Sequence, residues 1–189
     1  MRQLTTLLAA AALAACAHVP PPPDVPLLHL APAQLGRDVM LAQRLTVLAL
    51  PDAAAAAVAE RSLDVQLQAD AQQVQLAGIA MNQRVLRMAW DGRELRVERH
   101  ALLPAEVDPE RILRDLQLAC WPLDAVRAAL PPGWTVTDAG TARGLSYDGA
   151  EQVRVEGAAQ ACRSGVITID NRREGYRLRV ESRDMGDVQ

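Results

Sequence analysis

Lysine and phenylalanine are both missing from this 189-residue chain, so its 20 basic residues are all arginine and aromatics make up only 3% of it. The arginines are scattered rather than gathered, and few rings exist for bases to stack on. A nucleic-acid groove and a basic helix lying on a membrane surface are therefore excluded. Histidine is scarce too. His18, His29 and His100 have neither the spacing of a metal-ligand set nor that of a base serving a nucleophile, and each reads as a surface residue. No Gly-x-Ser-x-Gly elbow, phosphate loop or dinucleotide fingerprint occurs, and Gly144-Leu145-Ser146 is too short a likeness to use. The acidic residues fall mostly in turns and on polar strand faces, where solvation accounts for them. These absences point away from an enzyme, a metal site or a bound cofactor.

What is there begins at the N-terminus. Met1-Arg2 is a short basic start, and residues 4–13 (LTTLLAAAAL) form an uncharged apolar stretch of signal-peptide length, too short for a permanent membrane span. Leu13-Ala14-Ala15-Cys16 matches a lipobox, in which an apolar residue and two small ones precede a cysteine that is diacylated before signal peptidase cuts. Small residues suit the narrow groove in which the scissile segment lies extended. The expectation is a signal peptide over residues 1–15, cleaved ahead of a lipidated Cys16 that holds the chain to a membrane. Ala17 stands where an aspartate would signal retention in the inner membrane, so the expected location is the periplasmic face of the outer membrane. Residues 18–26 (HVPPPPDVP) carry four consecutive prolines and read as an extended polyproline spacer. Residues 16–34 are thus assigned to anchor and tether. More than one fatty chain, at about 0.8 kcal/mol per buried methylene, makes such anchoring stable.

Residues 35–189 remain, enough for a single domain with a sizeable core. Cysteine is sparse: acylation of Cys16 leaves only Cys120 and Cys162. In an oxidising periplasm these form a natural disulfide pair, whose loop closure is worth on the order of 4 kcal/mol in the chain-entropy picture. Two buried free thiols, each acting as a small apolar side chain, are the other reading. The sequence leaves both open.

The first half of that domain has strand periodicity. Residues 61–69 alternate strictly, with Leu63, Val65, Leu67 and Ala69 on one face and Ser62, Asp64, Gln66 and Gln68 on the other. Val74 and Leu76 continue the pattern, Gly78 reads as a bulge, and Ile79 and Met81 resume it. Leu86, Met88 and Trp90 follow, then a tight Asp91-Gly92 hairpin turn, then Leu95 and Val97. Ahead of these, residues 39–50 are a longer apolar run in which Arg44 and Thr46 still alternate with Leu45 and Val47. Residues 39–98 together predict a meander.

The period changes in the middle. Asp108 is placed to cap a helix with Pro109 at its first position and Glu110 in its first turn, and Ile112, Leu113, Leu116 and Cys120 fall on one face. Pro122 interrupts this amphipathic helix, a further turn or two carries Leu123, Val126 and Leu130, and Pro131-Pro132-Gly133 ends it. Beyond Trp134, strand signals return at residues 152–155, 166–169 and 176–180, the last two joined by the polar turn 171–175. One antiparallel sheet with an apolar face needs a cover. The expected fold is α+β, a curved antiparallel sheet or unclosed β-barrel covered by short helices.

The lipobox, the proline tether, the meander and above all residues 112–134 (ILRDLQLACWPLDAVRAALPPGW) resemble a family of uncharacterised proteobacterial lipoproteins, some of whose members sit in gene clusters for aryl polyene pigments. That family is similar in layout to LolA and LolB, carriers that shuttle lipoproteins across the periplasm. The resemblance implies one LolB-like domain over residues 35–189, whose open barrel holds a hydrophobic cavity for acyl chains under a helical lid. Its lining is then expected from Leu63, Val65, Leu67, Leu76, Ile79, Leu86, Met88 and Trp90 of the sheet, with Leu116 and Trp121 of the helix cover. The same apolar face also reads as plain core. Two functions follow: a non-catalytic carrier whose cargo is a lipid or lipoprotein handed to a partner in envelope transport, or a structural or docking lipoprotein of an envelope machine with no cavity.

Overall fold

A computed structural model describes residues 22–50, 60–104, 107–158 and 161–186. The expected signal peptide, Cys16, Ala17 and His18 lie outside the described residues. Among the described residues ten strands form one antiparallel sheet. In chain order they are β1 (Val39–Ala49), β2 (Arg61–Ala69), β3 (Val74–Ala80), β4 (Gln83–Trp90) and β5 (Leu95–Arg99), then β6 (Trp134–Asp138), β7 (Ala142–Tyr147), β8 (Ala150–Glu156), β9 (Gly165–Asn171) and β10 (Tyr176–Asp184). Two helices, α1 (Pro109–Cys120) and α2 (Leu123–Ala129), join the halves. The spatial order β5-β4-β3-β2-β1-β10-β9-β8-β7-β6 makes two meanders that meet where β1 pairs with β10, and leaves the sheet unclosed at β5 and β6.

The expected meander over residues 39–98 is present as β1 to β5, and the alternation within it is the physical reason. In β2, Val65, Leu67 and Ala69 are buried while Ser62, Asp64, Gln66 and Gln68 face water. Across the pair, Arg44 sits directly opposite Asp64 and binds both of its carboxylate oxygens, at 2.9 and 3.3 Å. Two local expectations are corrected. The extra residue of the bulge is Val85 on β4, because Gly78 pairs with Leu86 and Ile79 with Arg84. Strand β3 keeps its period, so Ala80 rather than Ile79 continues the inward face of Val74, Leu76 and Gly78. The turn after Trp90 has four residues instead of two: the Asp91 carboxylate accepts from the backbone N–H of Arg93 and Glu94, and this Asx geometry holds the wider loop. Strands β6 and β7 are additional to the expected ones, although in β6 Trp134 and Val136 are buried and alternate with the exposed Thr135 and Thr137. Each has few apolar residues, and β7 turns the charged Arg143 inward.

The helices begin and end as their punctuation requires. The Asp108 side chain accepts from Glu110 N–H at 2.9 Å with Pro109 in the first turn, and Pro122 separates α1 from α2. The expected single apolar face is corrected, however. Leu113, Arg114, Asp115, Gln117, Leu118 and Ala119 are all buried, so α1 is an internal helix with packing on several sides. One side meets the N-terminal segment. Val25, Leu28, Leu30 and Leu35 join the core, which places the start of the packed unit about ten residues (35 less 25) ahead of the boundary expected at residue 35. The Trp90 and Trp121 indoles donate to the carbonyls of Leu30 (2.7 Å) and Ala31 (3.0 Å), fastening this segment as a strap along α1.

Candidate functional site

The other side of α1 faces space. Ile112, Asp115, Leu116 and Ala119 recur at helical spacing and look across a cavity of about 480 Å³ towards the sheet. Leu45, Leu63, Leu76 and Val85 line it from β1 to β4, and Ile167, Ile169, Leu178 and Val180 from β9 and β10. On a flat sheet β3 and β9 would stand roughly 19 Å apart, four spacings of about 4.8 Å, so their meeting round one cavity requires the sheet to curve about α1. The volume falls among those of small-molecule sites, about 300–1,000 Å³.

The mouth lies where the described ends of β1 and β2 and the β9–β10 connection approach the start of α1. Val47 pairs with Arg61 there, Ala49 pairs with Tyr176, and the rim also carries Leu102, Pro104, Asp108 and Arg111. Leu102 is 49% exposed. Arg111 reaches Asp108 and Glu174, each at 3.5 Å. At the far end the Cys120–Cys162 disulfide ties the last residue of α1 to the β8–β9 connection, joining cysteines 42 positions apart in sequence. Both cysteines lie in the cavity wall.

One stretch of that wall is polar. Asp115 accepts from Arg114 Nε at 3.0 Å and from the Tyr176 hydroxyl, while the Arg114 guanidinium grips Glu174 at 2.6 and 3.2 Å and donates to Tyr176 at 2.8 Å. Burial pushes the Asp115 carboxyl above the usual carboxylate range, against the pull of Arg114. Burial and the adjacent Asp115 likewise raise the Tyr176 phenol, which stays neutral at any physiological pH. For Arg114 burial works against the charge, but Asp115 and Glu174 more than reverse it, so the guanidinium stays cationic.

Of the residues expected to line a cavity, Leu63, Leu76 and Leu116 do. Val65, Leu67, Leu86, Met88 and Trp121 are instead packed solid, and Trp90 stacks on His29 with ring centres 5.4 Å apart. The strap takes up the room on that side of α1. Ile79 points away, as β3 register dictates. Asp115, Tyr176 and Arg111 carried no signal, because charged and hydroxyl groups on a helix or strand read as solvent-facing. Val85 was hidden by the bulge that turns two neighbouring residues inward.

Arg143 supports the site from behind, donating to the carbonyls of Leu118 and Trp121, both at 2.8 Å, and so capping the end of α1. Among the described residues no helix is long and apolar enough to cross a membrane. Comparison of the chain with curated proteins finds no match. Residues 40–184 match the family described as Protein of unknown function (DUF3261); that span runs from the second residue of β1 to the last of β10 and holds both helices and the cavity wall, and the chain belongs to this family.

Proposed function

We propose that this chain is a lipid-anchored periplasmic lipoprotein that binds or hands over an acylated molecule without catalysing a reaction. The observation that carries the reading is the cavity of about 480 Å³ with aliphatic walls on both the sheet and helix sides. A well-packed domain closes such space, because each side chain bordering a void forfeits contacts. An acyl chain restores them. At about 0.8 kcal/mol per methylene, twelve buried methylenes are worth on the order of 10 kcal/mol, so cargo of this kind does not escape into water and leaves only to another apolar site. An open sheet wrapped round a helix is also the layout that the resemblance to LolA and LolB implies, and a Cys16 anchor at the outer membrane would set the cavity beside a bilayer.

The test is native mass spectrometry of residues 16–189 with Cys16→Ser, so that no attached acyl chain competes, together with uptake of a fluorescent fatty acid. Co-purifying lipid and saturable uptake are the expected results. Repeated recovery of the empty mass with no uptake would overturn the carrier reading in favour of a docking lipoprotein.

A further inference from the structure

The polar stretch of the wall is chemically one-sided. A carboxylate has about four acceptor positions; Asp115 accepts from Arg114 Nε at Oδ1 and from the Tyr176 hydroxyl at Oδ2, and Arg114 Nη2 also lies 3.0 Å from Oδ1. Arg114 is absent from the cavity lining and directs its guanidinium at Asp115, Glu174 and Tyr176. Tyr176 does border the cavity, but its proton is given to Asp115. What the wall offers a ligand at this point is therefore acceptor capacity among mostly aliphatic neighbours, the other polar side chains that border the cavity being Gln43, Ser62 and the rim's Arg61, Asp108 and Arg111. A buried carboxylate whose Oδ2 accepts from the Tyr176 hydroxyl alone gains from a further donor brought to it, and an alkyl chain brings none. Its position is fixed too. Asp115 lies one helical turn, about 6 Å, below the rim residue Arg111.

Resting on the acyl-site reading, we infer that the cavity selects chains bearing a hydrogen-bond donor, a hydroxyl or an amide N–H, within a few bonds of the head group, with Asp115 as the acceptor. The head then sits at the rim beside Arg111, the donor meets Asp115, and the rest of the chain lies against Leu63, Leu76 and Leu116. An ester or ketone oxygen at the same place faces another acceptor and is disfavoured.

The experiment ranks palmitate, 3-hydroxypalmitate and 16-hydroxypalmitate as competitors for a bound fluorescent fatty acid, on residues 16–189 carrying Cys16→Ser and on the same chain with Asp115→Asn. The 3-hydroxy acid is expected to bind about tenfold more tightly than the other two, as one charge-assisted hydrogen bond allows, and Asp115→Asn to bring the three within about twofold. Equal binding of all three to the unmodified wall overturns the inference while the acyl site stands. So does a preference that survives Asp115→Asn. Failure of all three to compete, with no uptake of the probe, removes the acyl site itself. Should Asp115→Asn not fold, the contrast between hydroxyl positions on the unmodified wall still decides the matter.

Discussion

Gln117 holds the backbone of Leu30 as a strand partner would: its side-chain oxygen accepts from Leu30 N–H at 3.2 Å and its amide nitrogen donates to Leu30 C=O at 2.9 Å. Gln117 has no exposed surface, and Leu30 is buried with it. The pair joins the middle of α1 to a segment 87 residues earlier. Because that segment also receives the Trp90 and Trp121 indoles, α1 is fixed from the strap side while its opposite side stays free to border the cavity.

Gln117→Ala leaves the Leu30 N–H buried and unpaired and opens a small void, at a cost of about 3 kcal/mol. Urea unfolding should register this as a lower midpoint. Trp90→Phe removes only one of two donors to the Leu30 carbonyl and should cost less. Equal midpoints for Gln117→Ala and the unmodified chain would show that the strap does not depend on this clamp.

Reducing the Cys120–Cys162 disulfide, or replacing both residues by serine, frees the end of α1 from the β8–β9 connection. For a loop of this length the chain-entropy picture gives about 4 kcal/mol, within the usual range of about 2–5. Thermal melts with and without reductant should differ by well over 5 °C, and a shift of a degree or two would mean that packing round α1 holds the end in place unaided.

The sheet was legible because water marks one of its faces. Ser62, Asp64, Gln66 and Gln68 are polar for the reason that Val65, Leu67 and Ala69 are not, and the helix limits were written in Asp108, Pro109 and Pro122. Interior α1 was not legible. Its Arg114, Asp115 and Gln117 are buried against partners 60 or more residues distant, and no local pattern announces such a partner. The strap was lost for a related reason: Val25, Leu28 and Leu30 follow no period, and the Leu30 backbone is satisfied by side chains from β4 and α1. These two blind spots explain why the cavity was expected along the whole apolar face yet lies on one side of α1 only.

Gly78 has no spare room for a side chain. A Cβ there would meet Leu63 Cδ2 at 2.9 Å and Leu86 Cβ at 3.3 Å. Leu63 borders the cavity and can swing into it, whereas Leu86 is fully buried. Gly78→Ala is therefore expected to cost about 1–2 kcal/mol through overpacking, and to weaken fatty-acid uptake by narrowing the site. Unchanged uptake would place the Leu63 side chain away from the bound chain.

Acid should loosen the support behind α1. The Gly140 N–H, at 2.8 Å, and then Arg143, at 3.0 Å, hold the Asp138 carboxyl below the usual carboxylate range. A depressed native value means that its stabilisation is complete above the unfolded value of about 3.9 and drains away as pH falls through the lower native one. Melting temperature followed from pH 6 to pH 2 should thus fall less steeply in Asp138→Asn than in the unmodified chain. Parallel curves would assign the acid loss to other carboxylates.

Lining and packing residues separate under opposite substitutions. Leu116 is half-buried and looks into empty space, so Leu116→Trp adds bulk where no neighbour must move: stability should stay within about 1 kcal/mol while fatty-acid uptake falls at least tenfold. Leu67 is 2% exposed and packed on all sides, so Leu67→Ala should cost about 2–5 kcal/mol. Its uptake should nonetheless persist, because the residue lies outside the cavity wall. The two variants together distinguish a vacancy kept open for a ligand from loose packing. If Leu116→Trp stabilised the domain by several kcal/mol and uptake were retained, the void would be a packing defect and the binding site would have to be sought elsewhere on the chain.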